Sequence, residues 1–362
     1  MKIVIAPDSF KGSLTAGEVA DSIEKGIKNV IDNIEIIKVP MSDGGEGTVS
    51  ALVDGTCGKI VKVSVKDPLM KTIDSFYGIL GDGKTAVIEM AAASGLPLVS
   101  ENEKNPLVTT TYGTGQLIEH ALDMGCRNII IGLGGSATND GGMGLLKALG
   151  VKFMDKFGED IGQGGGSLDR LYSIDVSDID VRLNECSIIA ACDVDNTLCG
   201  INGASYVFGP QKGADSNMVK LLDENLENYA AVIKKEFGTD IMNIPGSGAA
   251  GGLGGGIVAF LHTTLKKGIN IVMDVTELKQ KIHGADIVVT GEGNIDFQTA
   301  FGKTAFGVAS AAKENHIPVI AIAGGIGKKS DILYEKGFDA IVSIVDKPMS
   351  LQESMKNAKM LL

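Results

Sequence analysis

The chain has 362 residues, of which 44% are hydrophobic, and it carries a formal net charge of −12. This length exceeds what one hydrophobic core usually supports, so we expect two domains. The negative charge argues against a nucleic-acid partner, and no apolar run approaches the roughly 18 residues that a membrane span needs. Five scattered cysteines without a CxxC pair are typical of reduced thiols, so we expect a cytoplasmic protein. For its assembly we expect a monomer or a homodimer.

The first forty residues predict a β-α-β unit. An apolar strand over Lys2–Ala6 precedes a helix whose start is marked by Thr15 and Glu18, the pair of a capping box. Apolar residues then recur at helical spacing up to Val30, and Glu35–Val39 follows as a second strand. Two strands joined by a helical crossover lie parallel, so this unit predicts a parallel sheet.

The middle of the chain has a different pattern. Three consecutive strands, Lys59–Val65, Ile73–Leu80 and Thr85–Met90, are separated by polar turns and predict an antiparallel meander. Further along, a long amphipathic helix is predicted over Asp215–Phe237, and a buried, glycine-rich helix over residues 249–262.

Similar βα units at both ends of the chain predict a discontinuous domain. Strands over Ala285–Thr290 and Ile317–Ala323 resume the pattern of the N-terminus. We therefore expect an α/β fold with two domains. Residues 1–60 and 285–362 form a parallel α/β domain, and residues 61–284 form a second, mixed-sheet α/β domain inserted into it.

The loop Gly132–Gly144 joins an apolar strand to an apolar-periodic helix and is dense in Gly, Ser, Thr and Asn. Its backbone amides and the helix N-terminus are suited to hold phosphate. We expect nucleotide contacts from Gly134, Gly135, Ser136, Ala137, Thr138 and Asn139. The tract Gly246–Gly256 is open to two interpretations, a phosphate cradle involving Gly248 and Gly251 or close helix packing. Asp140 is expected to cap the helix or to support a Mg²⁺ shell.

Two other loops follow the strands of the first β-α-β unit. Ligands of parallel α/β sheets bind beyond the carboxyl ends of the strands, which is where both loops lie. The first loop brings Asp8, Ser9 and Lys11, although a salt bridge within the loop would also explain the Asp and the Lys. The second brings Ser42 and Asp43, followed by two glycines that let a ligand approach the backbone. We expect these loops to bind a small anionic substrate with hydroxyl groups.

Carboxylates follow two further strands. Asp193 and Asp195 stand beside Asn196 after an apolar strand, a spacing that suits Mg²⁺, although one of them could instead accept a proton from an attacking hydroxyl. A later loop ends in Gly-Lys-Thr but is not a P-loop, because Phe297 stands where that motif requires glycine. Glycine loops, carboxylates and lysines in this combination are typical of phosphoryl transfer.

These segments occur in one order along the chain: APDSFKGSLTA (Ala6–Ala16), PMSDGGEGT (Pro40–Thr48), GLGGSATNDGGMG (Gly132–Gly144), CDVDN (Cys192–Asn196), FGPQKGA (Phe208–Ala214), PGSGAAGGLGGG (Pro245–Gly256) and TGEGNIDFQTAFGK (Thr290–Lys303). Together they resemble the bacterial class I glycerate kinase family, which lacks a P-loop, over essentially the whole chain. The resemblance implies phosphorylation of D-glycerate by ATP with Mg²⁺, with 2-phosphoglycerate favoured over 3-phosphoglycerate as the product. It also implies a flavodoxin-like domain and a restriction-endonuclease-like domain, with the active site in the cleft between them.

Within that resemblance, the residues receive expected roles. Asp193 is the expected base, and Lys11 is expected to meet the glycerate carboxylate or the transferring phosphoryl group. Asp195 and Asp296 are expected Mg²⁺ ligands, and the substrate contacts are expected from Asp8, Ser9, Ser42 and Asp43. Two alternatives stay open: another small-molecule kinase without a P-loop, and a non-catalytic nucleotide-binding sensor.

Overall fold

The computed structural model describes residues 1–300 and 303–362. Its strands, numbered in chain order, are β1 (Lys2–Ile5), β2 (Glu35–Lys38), β3 (Lys59–Lys66), β4 (Thr72–Ile79), β5 (Thr85–Glu89), β6 (Asn128–Gly132), β7 (Lys152–Met154), β8 (Ser173–Asp175), β9 (Ser187–Ala191), β10 (Thr264–Lys266), β11 (Ile287–Ile295), β12 (Val319–Ile326) and β13 (Ala340–Ser343). Its α-helices are α1 (Ala16–Lys28), α2 (Thr48–Thr56), α3 (Ala91–Ser94), α4 (Tyr112–Asp123), α5 (Met143–Ala148), α6 (Ala204–Phe208), α7 (Ser216–Phe237), α8 (Leu253–Leu261), α9 (Gly268–Val275), α10 (Leu278–Ile282), α11 (Thr304–Lys313) and α12 (Leu351–Leu361).

The chain forms two compact units. Unit 1 consists of Met1–Gly58 and Gly268–Leu362, and unit 2 consists of Lys59–Lys267. The chain returns to unit 1 at residue 268 and not near 285, because α9 and α10 pack against α2 and α11, which are helices of unit 1. No composition change marks this return in the sequence.

Unit 1 is built on a parallel sheet with the strand order β2-β1-β11-β12-β13. The predicted parallel pairing of the first two strands is confirmed, since Ile3 pairs with Ile36 on one side and with Ile287 on the other. The order of strands reverses direction at β1, which makes the gap between β1 and β11 a topological switch point. In open α/β sheets, the crevice beyond the carboxyl ends at such a point is where ligands bind.

The predicted capping box at the start of α1 is confirmed. The Glu18 amide donates to the Thr15 hydroxyl at 3.2 Å, and the Thr15 amide donates to the Glu18 carboxylate at 3.0 Å. These two bonds satisfy amides that an α-helix leaves without partners, and so they determine where α1 begins.

Strand β11 is longer than the sequence predicts. It continues past Thr290 to Ile295, which pairs with Ile326 of β12. Glycine makes this close pairing possible, because a Cβ atom at Gly291 would lie 2.1 Å from the carbonyl oxygen of Ile322. The predicted strand end at Thr290 is therefore wrong, since the glycines that suggested a loop here belong to the sheet.

Unit 2 is built on a mixed sheet with the strand order β10-β9-β6-β5-β4-β3. The predicted meander is confirmed, because β3, β4 and β5 pair antiparallel, while β5, β6, β9 and β10 pair parallel. The parallel strands end in one row of paired residues, Glu89, Gly132, Ala191 and Lys266. The loops that follow these residues therefore start from the same edge of the sheet.

The glycine tract of unit 2 is not helical at its start. Helix α8 begins at Leu253, four residues later than predicted, because Gly251 and Gly252 have φ angles of +69° and +87°. Helix α7 follows the prediction, with the Asp215 carboxylate accepting from the amides of Asn217 and Met218 at 2.9 Å. In the ranges that the structure describes, no helix has both the length and the apolar character needed to cross a bilayer.

Candidate active-site residues in the two units

A cavity of about 580 Å³ lies in unit 1 and is lined by residues at the switch point between β1 and β11. One part of its wall is polar and charged. Asp8, Ser9 and Lys11 line it from the loop after β1, Asp43 from the loop after β2, and Glu292 from β11. Three of these five residues, Asp8, Ser9 and Asp43, are predicted substrate contacts, and Lys11 is a predicted catalytic residue; the fold brings all four together, as expected for the ends of parallel strands.

Asp8 is the most buried charged group of this cavity, with 6% of its surface exposed. Its carboxylate accepts hydrogen bonds from the Thr304 hydroxyl and from the Ser9 amide, the latter at 2.6 Å. Burial nevertheless raises the pKa of Asp8 to about 6, and the neighbouring charge of Asp43 adds to the effect. Asp8 therefore titrates close to neutrality, which is typical of carboxyl groups at functional sites.

Lys11 provides a cation at the same place. Its Nζ lies 3.6 Å from the Asp43 carboxylate, while 63% of its side chain stays exposed. Partial burial lowers the pKa of Lys11, but the carboxylates of Asp43 and Asp8 outweigh this and raise it. Lys11 therefore remains charged and can reach an anionic oxygen of a ligand. Its ion-pair partner belongs to the loop after β2, whereas the alternative from the sequence was a salt bridge with Asp8 within its own loop.

Glu292 and Lys303 are site residues that our sequence analysis did not single out. The Thr299 hydroxyl donates to the Glu292 carboxylate at 2.7 Å, and the Lys303 Nζ lies 3.5 Å from it. Burial raises the pKa of Glu292. The signal that could have identified Glu292 is its position between two glycines, which the early strand end at Thr290 concealed.

Two other predicted residues of unit 1 are engaged in local structure. Ser42 is 1% exposed, and its hydroxyl bonds the Thr48 hydroxyl at 2.8 Å, so it stabilises its own loop. The Asp296 carboxylate accepts from the Gln298 amide at 2.8 Å and from the Asn294 side chain at 3.1 Å. Phe301 and Gly302 of the same motif lie outside the described residues.

In unit 2, the predicted phosphate loop after β6 is exposed only at its beginning. Gly134 and Gly135 are exposed, and their amides donate to no backbone carbonyl within residues 1–300 and 303–362. The Gly135 carbonyl accepts from the Leu96 amide at 2.8 Å, and the Ala137 amide donates to the Ser94 carbonyl at 3.0 Å. These bonds hold the loop while two amides remain available for an anion.

The rest of the loop is buried. Ser136, Ala137, Thr138 and Asn139 are each at most 7% exposed. The Asn139 side-chain amide donates to the Ser205 hydroxyl at 2.9 Å. The Thr138 hydroxyl and the side-chain oxygen of Asn139 are buried without a partner among the described residues. Because buried polar atoms normally have partners, these two atoms are consistent with a site that is completed by a ligand or by water.

Lys212 holds this loop through hydrogen bonds from the interior of unit 2, a role that our sequence analysis missed. It is 2% exposed, and its Nζ donates to the Ser136 hydroxyl at 2.8 Å and to the Thr138 carbonyl at 2.6 Å. Burial lowers the pKa of Lys212 to about 7, and the charge of Asp140 opposes the shift. The loop FGPQKGA contained this lysine, but only the tertiary structure shows that it points inward.

Asp140 is fully buried and organises two helix starts. Its carboxylate accepts from the Thr111 amide and hydroxyl at 2.9 Å each, and from the Gly144 amide at 3.1 Å and the Gly142 amide at 3.2 Å. Thr111 precedes α4, and Gly142 precedes α5. These contacts fit the predicted capping role and leave Asp140 within the scaffold of the loop.

The glycine tract before α8 packs directly behind the same loop. A Cβ atom at Gly251 would lie 2.0 Å from the Thr138 carbonyl oxygen, and one at Gly248 would lie 2.2 Å from the Thr197 carbonyl oxygen. Both glycines are buried. Close backbone packing therefore accounts for glycine at these two positions without a phosphate contact.

Asp193 and Asp195 lie in the loop after β9. This strand pairs with β6, the strand that precedes the phosphate loop. Both are exposed, and the Asn196 side chain donates to the Asn202 carbonyl at 2.7 Å. No cluster of three His, Cys, Asp or Glu residues suited to a metal ion occurs in the described part of the chain. Mg²⁺ commonly uses one or two carboxylates together with substrate phosphates, so exposed carboxylates of this kind fit an ion that arrives with a nucleotide.

Comparison with known proteins assigns the family. The model of the glycerate kinase family matches residues 3–362. The chain belongs to the glycerate kinase family. It is 54% identical to a glycerate kinase of Bacillus cereus over 99% of this chain and 94% of the relative. It is 51% identical to glycerate 2-kinase of Escherichia coli, again over 99% of this chain and 94% of the relative.

A solved structure supports the fold. The chain matches a crystal structure from Salmonella typhimurium LT2, assigned as glycerate kinase 2, with a TM-score of 0.91 and 49% identity. The match covers 99% of this chain and 96% of the other. The predicted family and the predicted fold class, with one parallel and one mixed sheet, are therefore confirmed.

Proposed function

We propose that this glycerate kinase family member transfers the γ-phosphoryl group of ATP to D-glycerate and forms 2-phosphoglycerate in preference to 3-phosphoglycerate. The observation that carries this proposal is the match to the family model over residues 3–362. The name of the Escherichia coli relative, glycerate 2-kinase, supports the 2-phosphate as the product.

On unit 1, the charged part of the cavity binds glycerate. Lys11 neutralises the glycerate carboxylate or an oxygen of the incoming phosphoryl group, since its Nζ is charged and largely exposed. Asp8 and Asp43 accept hydrogen bonds from the substrate hydroxyls, and Ser9 contributes its hydroxyl. Ser42 acts indirectly, because its own hydroxyl is bonded to Thr48.

On unit 2, the amides of Gly134 and Gly135 hold phosphate oxygens of ATP. Ser136, Ala137, Thr138 and Asn139 form the buried support of those amides. Mg²⁺ would neutralise phosphate charge, and our candidate ligands for it are Asp195 in unit 2 and, separately, Asp296 in unit 1. Gly248 and Gly251 contribute through packing.

The chemical step is a proton-coupled displacement. The attacking glycerate hydroxyl forms a bond to the γ-phosphorus, while the bond from that phosphorus to the β–γ bridging oxygen breaks and ADP leaves with the electron pair. The hydroxyl proton passes to a carboxylate, for which we propose Asp193. Removal of such a base typically costs about 10²- to 10⁴-fold in rate.

The setting of the protein is part of the same proposal. We propose a cytoplasmic location, where ATP is supplied and where cysteines stay reduced, because all five cysteines of this chain are free thiols. A monomer or a homodimer satisfies the proposed chemistry.

The decisive experiment is identification of the product. The protein is incubated with ATP, Mg²⁺ and D-glycerate, and the product is examined by ¹³C NMR. The carbon that carries the phosphate is identified by the coupling of its neighbourhood to ³¹P. Omission of Mg²⁺ serves as the control. We expect 2-phosphoglycerate, formed only with Mg²⁺. Formation of 3-phosphoglycerate would overturn the regiochemistry, and binding of ATP without any product would favour a non-catalytic sensor.

A further inference from the structure

The cavity of unit 1 has an apolar wall that a three-carbon acid does not use. Helix α12 contributes Leu351, Ser354, Met355 and Ala358, whose spacing of three and four residues places them on one helix face. Phe10, which is 3% exposed, continues this wall. Glycerate carries only polar groups on three carbons and has no counterpart for these side chains.

The size of the cavity also indicates a ligand larger than glycerate. A volume of about 580 Å³ falls within the roughly 300–1,000 Å³ that is typical of sites for ligands much larger than glycerate. Such sites combine apolar walls with a few polar groups that fix the orientation of the ligand. The polar groups here are two lysines and three carboxylates, namely Lys11, Lys303, Asp8, Asp43 and Glu292.

The apolar and the charged parts of the wall are fixed to each other. The Ser13 hydroxyl donates to the Met355 carbonyl at 2.6 Å, which ties the loop that carries Lys11 to helix α12. Gly12 lies so close to this helix that a Cβ atom would be 3.0 Å from the Met355 methyl group. A ligand with an apolar ring at one end and polar groups at the other would therefore meet a preformed pair of surfaces.

We propose that this apolar wall binds the purine base of the nucleotide. The flat ring packs against the Met355 thioether and Leu351, and the Ser354 hydroxyl can bond a ring nitrogen. Carboxylates accept hydrogen bonds from ribose hydroxyls in other α/β nucleotide sites, and Glu292, which the proposed glycerate contacts leave unused, can do so here. Lys303 meets a phosphate oxygen of the nucleotide, and Lys11 keeps the role proposed above. The inference rests on the proposed use of ATP and extends it to the position of the base.

The first test observes the wall directly in the full-length protein. Methionine methyl groups are labelled with ¹³C, and the Met355 signal is assigned with the Met355→Leu variant. Adenosine and ADP should shift this signal by the ring current of the base, whereas inorganic phosphate and D-glycerate should leave it in place. A Met355 signal unmoved by saturating adenosine and ADP would overturn the proposal.

The second test uses a matched pair of substitutions on α12. Met355→Lys places a charge on the apolar wall, so the KM for ATP should rise by about tenfold or more while the KM for D-glycerate stays unchanged. Met360→Lys is the control, because Met360 is 78% exposed on the same helix. Leu351→Asp, at a position that is 77% exposed, repeats the test should Met355→Lys fail to fold.

The outcomes separate this inference from the proposed function. A rise in the KM for D-glycerate alone would show that the wall belongs to the acid substrate, and would overturn the inference. If the wild-type protein phosphorylates no glycerate, the proposed function fails, but the methionine signal still reports whether a purine base binds the wall.

Discussion

Asp8 combines two properties that rarely occur together in a structural carboxylate. It is almost fully buried, yet it lines the cavity beside Lys11 and Asp43. A buried carboxylate with a raised pKa makes the folded state less stable when it is ionised, because the unfolded chain solvates the charge better. The folded state is therefore less stable near neutral pH because of this group, at a place where the proposed site needs an acceptor for a substrate hydroxyl.

The substitution Asp8→Asn tests this balance. Because the pKa in the folded state is about 6, above the ordinary 3.8, the stabilisation from this group is complete below pH 4 and lost as the pH rises through 6. The variant should be more stable than wild type by about 1–3 kcal/mol at pH 7.5 and equal to it at pH 4, as urea unfolding can measure. Equal stability at both pH values would contradict the prediction.

A kinetic comparison separates the roles of Asp8 and Asp193. Asp193→Asn should lower kcat by about 10²- to 10⁴-fold. Asp8→Asn should mainly raise the KM for D-glycerate and remove the dependence of that KM on pH near 6. Should Asp193→Asn keep near wild-type turnover while Asp8→Asn loses it, the base would be Asp8.

Lys212 is the second buried residue for which we predict an effect on ligand binding. Its two hydrogen bonds hold Ser136 and Thr138, the residues directly behind the exposed amides of Gly134 and Gly135. Lys212→Met keeps the length of the side chain and removes both bonds. We expect a higher KM for ATP, by about tenfold, with the KM for D-glycerate unchanged. Lys220→Met, on the exposed face of α7, is the control.

The same variant has a predicted pH dependence. The pKa of Lys212 is lowered to about 7 in the folded state, so the unfolded chain binds more protons between pH 7 and pH 10. The wild-type protein therefore gains stability from this group as the pH rises over that interval. Comparison of melting temperatures at pH 7 and pH 9.5 should show that Lys212→Met loses this gain, and a parallel pH profile would refute it.

At the scale of elements, the extended strand β11 requires glycine at position 291 but not at position 293. A Cβ atom at Gly291 would collide with the Ile322 carbonyl oxygen at 2.1 Å, whereas one at Gly293 would meet the Lys11 amide at an ordinary 3.5 Å. The structure therefore explains glycine differently at these two positions. Gly291 permits the pairing of β11 with β12, whereas Gly293 has room for a Cβ atom and lines the cavity.

A pair of alanine substitutions makes the difference measurable. Gly291→Ala should destabilise the protein by about 1–3 kcal/mol, because the backbone of β12 must move. Gly293→Ala should unfold at the wild-type denaturant concentration, although it lines the cavity and can weaken ligand binding. Equal stability of the two variants would show that the strand pair adjusts freely, contrary to the structure.

At the scale of the whole molecule, the loop after β1 and the loop after β6 should respond to different ligands. D-Glycerate should slow amide hydrogen exchange in the loop after β1, and a non-hydrolysable ATP analogue should slow it at Gly134 and Gly135. Each ligand at a hundred times its dissociation constant should add about 2.7 kcal/mol to the free energy of unfolding. Protection of neither segment by either ligand would contradict the proposed assignment of the two sites.

The sequence was sufficient for local structure wherever a short-range rule decides the outcome. The capping box of Thr15 and Glu18, the meander of β3 to β5 and the start of α7 at Asp215 each follow from residues within a few positions of one another. The errors have a common cause. The end of β11 and the start of α8 depend on backbone contacts with distant segments, and glycine by itself does not distinguish a loop from a close approach.

The candidate site residues also divide into those that local rules predict and those that depend on distant contacts. Asp8, Ser9, Lys11 and Asp43 could be predicted as neighbours, because the carboxyl ends of parallel strands meet at one edge of a sheet. Lys212 and Glu292 could not, because their importance comes from where their side chains point. The order of the motifs identified the family by resemblance, and their glycines, carboxylates and lysines indicated phosphoryl transfer. Only the tertiary structure decided which polar groups are buried, and burial is what sets the pKa of Asp8 and Lys212 apart from ordinary side chains.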